Sequence, residues 1–332
     1  MSLKKLFAGL ALPVMIVAGA GAAQGNKKPD IADSFNRVAL EQDFSKTCQM
    51  RQDMRRTNLR PPYAKNAPDD FRHKDTELVL LSSKLTKQQR DKAKRLFDNL
   101  PDHVRDIVYM QGGTYIMPRH SVVEAMPFLK DDPGYYKDSG LYVHLDRRVY
   151  APFERGVAIK GKDGKVYVVR WLDSGRNMDG LVKHETGHML DDLLGNYNLD
   201  STGSNGDQRL TNRKDFMDAF ERDLDSLSRK ICRTVSERTI RLMGYYFPTE
   251  HKGKKIGGIR EPDELGAQRN RREVFAELWA EAQGKRLNGL SRYYPRTFAV
   301  IKEIDNHLRQ LHKNQKNKCG YTMDGRAIPL KP

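Results

Sequence analysis

The chain has 332 residues, with 59 Lys and Arg against 43 Asp and Glu, for a formal net charge of +16. That balance favours anionic partners such as cell-envelope polymers, lipid headgroups, a host surface or acidic proteins. The basic residues are spread along the chain without any nucleic-acid fold motif, so no nucleic-acid partner is expected. The three cysteines, Cys48, Cys232 and Cys319, match no cysteine-based zinc site and no C-x-x-C redox pair.

Lys4 and Lys5, the apolar run from Leu6 to Ala18 and the small residues Ala20 to Ala23 read as a secretory signal over residues 1–23. A membrane span needs about 20 apolar residues. This run is shorter and contains Pro13, and no later segment is more apolar, so no transmembrane span is expected after the signal is removed. The mature chain, at +14 without Lys4 and Lys5, is expected to be periplasmic or secreted. In an oxidising compartment one disulfide is compatible with three cysteines, and a Cys48–Cys319 staple would tie the two polar terminal segments. Sequence does not set the connectivity.

Residues 24–75 are polar, carry Pro61, Pro62 and Pro68, and read as an extension with at most a short helix. The folded domain is expected over 76–313. Thr86 and Gln89 form a capping-box pattern that opens a helix, and Pro101 separates it from a shorter one holding His103, expected at the surface or in packing. Strands are predicted at Tyr115–Met117 and Leu141–Leu145. A hairpin is predicted from Val157–Lys160 and Val166–Val169 around Gly161-Lys162-Asp163-Gly164-Lys165. His120 and His144 read as structural. Residues 201–212 read as a loop, and Asp215 to Met243 as a long amphipathic helix. Residues 244–270, rich in Gly, Lys and Arg, read as a loop: a lid on the site or an ordinary insertion. The last helices fall between Leu287 and Leu311, and residues 314–332 form a polar tail.

The chemistry concentrates at His184-Glu185-Thr186-Gly187-His188, an H-E-x-x-H motif. Leu181, Val182, Met189, Leu190, Leu193 and Leu194 supply a helical apolar stripe around it, and Gly195 is a stop signal. On a helix, positions i and i+4 share a face, so both imidazoles can address one metal ion. Glu185 is then placed to act as general base. A metzincin would carry Gly at 191 and His at 194. This chain has Asp191 and Leu194, so the third ligand must come from elsewhere. The stretch from Arg272 to Glu281 offers Glu273 and Glu277 at i and i+4, with Ala276 and Ala280 small enough for close helix approach. Glu273 is assigned as the third ligand and Glu277 as acceptor for a ring N–H of a ligand histidine. An ordinary solvated acidic face is the other reading of the same pattern.

These two segments resemble the C-terminal metallopeptidase domain of the anthrax toxin lethal factor family. That family carries H-E-x-G-H followed by two aspartates, as in His184 to His188 with Asp191 and Asp192, and E-x-F-A-E, as in Glu273, Phe275, Ala276 and Glu277. Tyr294-Pro295-Arg296-Thr297-Phe298, leading into Ile301 and Ile304, resembles its closing helix. The likeness covers roughly residues 105 to 312, and is strongest over 181–200 and 270–305. It implies a zinc peptidase with His184, His188 and Glu273 as ligands and Glu185 as base. The family's catalytic Tyr, seven residues before the ligand Glu, is Gly266 here, and the gap from His188 to Glu273 is longer. Tyr246 is taken to supply the oxyanion donor, with Tyr245 and His251 as alternatives.

The expected architecture is α+β and zincin-like, a small mixed sheet packed on the H-E-x-x-H helix and a second ligand-bearing helix. The expected function is an exported zinc endopeptidase acting on protein or peptide substrates. An edge strand of the sheet would take an extended peptide by strand addition, or the sheet simply packs the two helices. The alternative is a non-catalytic zinc-containing binding module of the same fold.

Overall fold

The computed structural model describes residues 36–46, 79–137, 140–144, 147–173, 178–197, 209–230, 244–258, 264–284 and 289–319. The chain divides into units Met1–Asp30 and Ile31–Pro332, and all described residues belong to the second. The expected signal, Cys48, Cys232, the side chain of Cys319 and the tail beyond it lie outside the described residues.

The architecture is mixed α+β. Four short strands form one sheet: β1 (Val79–Leu81), β2 (Thr114–Met117), β3 (Leu141–Val143) and β4 (Arg148–Tyr150), in the order β1-β2-β4-β3. β1–β2 and β2–β4 are parallel; β3 is an edge strand antiparallel to β4. Alternate residues of a strand face opposite sides, and here both sides are covered. Val79, Leu81, Tyr115, Met117 and Val149 join the main core under the helices. Leu80, Ile116 and Tyr150 join a smaller cluster closed by Val122, Met126 and Leu129.

The helices are α1 (37–46), α2 (Lys87–Asp98), α3 (Asp102–Met110), α4 (Pro133–Lys137), α5 (Met178–Gly195), α6 (Lys214–Lys230), α7 (Glu264–Ala282) and α8 (Pro295–Cys319). Thr86 caps α2 with the full capping box. α1 is the short helix of the polar extension. It docks through Leu40 and Phe44, which are buried in the main core, and through Asn36 N–H donating to the Tyr197 carbonyl at 2.6 Å. The stretch read as a loop over 244–270 carries a 3-10 turn (Gly244–Tyr246) and a small hairpin, β7 (Glu250–His251) with β8 (Lys254–Lys255). Its last seven residues already belong to α7.

α5 and α7 pack at the centre of the molecule. A methyl group on Gly187 would lie 2.6 Å from the Ala276 Cα, so glycine facing alanine sets how closely the two backbones meet. Val274, Phe275, Leu278 and Trp279 are fully buried. Glu277 and Glu281 are buried too, which rules out a solvated acidic face. Glu281 accepts hydrogen bonds from the Leu290 and Ser291 N–H groups, fixing the turn into α8. Asp223 of α6 caps α8 across the fold, accepting from Arg296 N–H at 2.9 Å and Thr297 N–H at 2.8 Å. His103, expected at the surface or in packing, is buried with Nε2 2.8 Å from Asp305 of α8. β5 (Glu154–Lys160) and β6 (Val166–Asp173) form a separate two-stranded hairpin that leads toward α5. Among the described residues no helix is long and apolar enough to cross a membrane.

Candidate metal centre

His184 and His188 lie one turn apart on α5, their rings 4.9 Å apart and nearly perpendicular. Glu273 reaches them from α7. Its Oε2 is 3.5 Å from His184 Nε2 and 3.5 Å from His188 Nε2. One ligand atom from each of the three residues lies within 4.8 Å of the others, so the group could hold a metal ion. Two imidazole nitrogens and one carboxylate oxygen are a borderline-soft donor set that suits zinc, whose bonds of about 2 Å place tetrahedral ligand atoms roughly 3.3 Å apart. The two Nε2–Oε2 spacings of 3.5 Å are close to that value.

Charge in the cluster is divided unevenly. Burial opposes a charged His184, but bonds to Glu273 and Glu277 outweigh it and hold its pKa up at about 10. His188 is equally buried and faces Glu273 alone, so burial prevails and its pKa is lowered. Burial also works against the Glu273 carboxylate, yet the two imidazoles hold it well below the usual range.

The partners behind the ligands separate the two histidines. His184 Nδ1 is 3.1 Å from Glu277 Oε2, which leaves Nε2 directed at Glu273. His188 Nδ1 is buried with no hydrogen-bond partner among the described residues, so no polar group backs that ring as Glu277 backs His184. Thr186, between them in sequence, is bonded to Tyr115 of β2 at 3.0 Å and so ties α5 to the sheet.

Glu185 emerges beside the edge strand. A methyl group on Gly140 would lie 2.5 Å from Glu185 Oε1 and 2.7 Å from Leu181 Cδ1, so the backbone ahead of β3 passes close to this carboxylate. Sequence reasoning passed over Gly140, which carries no local signal. Further along the same helix, Asp192 accepts from the Tyr142 hydroxyl at 2.6 Å and lies 2.7 Å from His144 Nδ1. Asp191 is buried and binds Thr211 N–H at 2.8 Å. His144 and His120 stand outside the ligand set, His120 being held by Glu124 and Glu154.

The two neighbouring tyrosines, Tyr245 and Tyr246, have different partners. The Tyr246 hydroxyl donates to Glu277 at 3.2 Å, its ring is largely buried, and burial pushes its pKa up. It therefore supports the His184 partner. The Tyr245 hydroxyl donates to Glu273 Oε1 at 2.8 Å while its ring is 41% exposed. Tyr245 is thus the tyrosine on the open side of the cluster. His251 is held 2.7 Å from Asp225 of α6, which engages its ring with that helix instead. No protein-family model and no curated protein matches the chain.

Proposed function

We propose that the protein is an exported zinc metalloendopeptidase with a zincin-like active site, in which His184, His188 and Glu273 hold the metal and Glu185 is the general base. The observation that carries this reading is the convergence of both Nε2 atoms on Glu273 Oε2, with a carboxylate next in sequence to the first histidine. Bound there, zinc supplies Lewis-acid polarisation of a carbonyl and acidifies a water molecule. Glu277 fixes the His184 tautomer so that Nε2 keeps its lone pair for the site. Glu185 takes the proton of the attacking water on a carboxylate oxygen and passes it to the leaving amine. The Tyr245 hydroxyl turns from Glu273 toward the scissile carbonyl oxygen and donates to it as negative charge develops. The outer edge of β3, which no described strand pairs and which follows Gly140 beside Glu185, receives an extended substrate backbone by strand addition. The sequence likeness to the lethal factor family supports the same reading through His184, Glu185, His188 and Glu273.

The test is cleavage of a diverse peptide library by the zinc-loaded protein, with Glu185→Gln alongside. The variant keeps its zinc and loses roughly 10²–10⁴-fold in turnover. Equal cleavage by both proteins would overturn the assignment. No cleavage by either would favour a zinc-containing binding module.

A further inference from the structure

Strand β3 is the edge of its sheet, has three residues, and buries none of them fully. A short edge strand opens readily unless its side chains are held on both faces. Pairing with β4 secures one edge of the strand. Leu141 and Val143 pack against the smaller apolar cluster on one face of the sheet. The alternate positions, Gly140, Tyr142 and His144, turn toward α5. There the Tyr142 hydroxyl donates to Asp192 Oδ2 at 2.6 Å, and His144 Nδ1 lies 2.7 Å from Asp192 Oδ1. One carboxylate thus takes two successive inward residues of the strand, one on each oxygen. Burial and the Asp192 charge push the Tyr142 phenol up, so its hydroxyl keeps the proton it donates.

The spacing along the two elements matches. Asp192 lies two turns beyond Glu185 on α5, about 10 Å along the axis. His144 lies four positions beyond Gly140, about 13 Å along an extended chain. Gly140 meets Glu185 and His144 meets Asp192, so the strand runs beside the helix in the same direction. At the Glu185 end the fit leaves no slack, since a methyl group on Gly140 would lie 2.5 Å from Oε1. At the other end Asp192 sets the separation. The β4 ladder therefore places β3 within its sheet, whereas Asp192 places it on the helix that bears both histidines and Glu185.

We propose that Asp192 is a positioning residue for substrate: by holding Tyr142 and His144 it registers the edge strand on α5, so that a peptide pairing with β3 arrives at a fixed height beside Glu185. This rests on the peptidase reading with strand addition given above. The test uses the full-length, zinc-loaded protein and a fluorogenic peptide of about ten residues, chosen from the cleaved members of the library. The same peptide is shortened stepwise to the least that is still cut, which is too short to pair along the whole strand. In Tyr142→Phe and in Asp192→Ala, the ratio of kcat/KM for the long peptide to that for the short one is expected to fall about tenfold, chiefly through the KM of the long peptide. Asp192→Asn keeps one acceptor oxygen and is expected to fall less. Gly140→Ala, which meets the Glu185 carboxylate itself, is expected to lower kcat for both lengths alike. Amide hydrogen exchange over Leu141–Val143, which needs no hydrolysis, is expected to quicken about tenfold in Tyr142→Phe while exchange in α5 stays the same. An equal loss on long and short peptides in the Tyr142 and Asp192 variants would overturn the proposal and leave the peptidase standing, since Asp192 would then support only the fold. Unchanged exchange in β3 would overturn it too. Failure of the wild type to cut any peptide would remove the peptidase reading, and this proposal with it.

Discussion

Two adjacent tyrosines occupy opposite sides of the same cluster, and their partners separate their work. Tyr245 reaches Glu273 Oε1 from the open side, while Tyr246 reaches Glu277 from within the protein. Tyr245→Phe is expected to lower kcat by roughly 10²-fold, the scale of one oxyanion donor, with zinc affinity little changed. Tyr246→Phe is expected to weaken zinc binding by about tenfold through Glu277, with a smaller effect on kcat at saturating zinc. Steady-state kinetics and metal competition on both variants separate the two roles, and the reverse pattern would exchange them. The H-E-x-x-H pair was legible in the sequence because its geometry is local: four residues on a helix fix both imidazoles. Glu273 and Glu277 were legible because the same i, i+4 logic repeats beside small alanines. Tyr245 was not, because its partner lies 28 residues away and the sequence shows only two neighbouring tyrosines in a Gly- and Pro-flanked stretch. Gly140 left no trace either, since its contact with Glu185 arises from strand β3 meeting helix α5.

Helix α5 is held by one close approach and one buried acid. Gly→Ala inside a helix ordinarily gains about 1 kcal/mol. At position 187 the added methyl meets the α7 backbone, so the helices must part and the net effect is destabilising by roughly 1–3 kcal/mol. Gly187→Ala should therefore lower the Tm of the metal-free protein and weaken zinc binding, because Glu273 moves with α7. An unchanged Tm would show that the interface yields freely. Asp191 behaves differently. Burial holds its carboxyl up at about 6, against an ordinary 3.8, although Thr211 and nearby arginines pull the other way. The folded protein keeps this proton where the unfolded chain has lost it, so this group's contribution to stability falls as pH rises from about 4 to about 6. Asp191→Asn removes that fall. The variant should gain on the wild type by on the order of 2–3 kcal/mol between pH 4 and pH 7, as measured by urea unfolding in chelator. Among the elements, the capping box of α2 and the β5–β6 hairpin were visible in sequence because caps and turns are encoded within a few residues. β1 and β4 were not, because both are short and almost wholly buried, so no alternation of exposed and buried residues marks them.

At the scale of the molecule, segments remote in sequence enclose the candidate metal centre. α1 belongs to a polar, proline-bearing extension, yet two of its side chains complete the core beneath the sheet and α5. Composition alone could not show this, since two apolar residues in a charged stretch decide it. α3 and α8 are joined by two buried pairs, His103 with Asp305 and His312 with Asp106, which close the fold behind the site. The positive charge legible in the sequence takes spatial form at the β5–β6 hairpin, where Arg155, Lys160, Lys162, Lys165 and Arg170 are exposed. The central claim is that α5 and α7 together make one three-residue metal site. Its most direct test is zinc titration of the metal-free protein against a chromophoric chelator. The wild type and Glu185→Gln should bind one zinc per chain with affinities within a few-fold of each other, whereas His184→Ala, His188→Ala and Glu273→Ala should each lose about 100-fold or more. Wild-type affinity in Glu273→Ala would contradict the account, because the metal would then be held without α7.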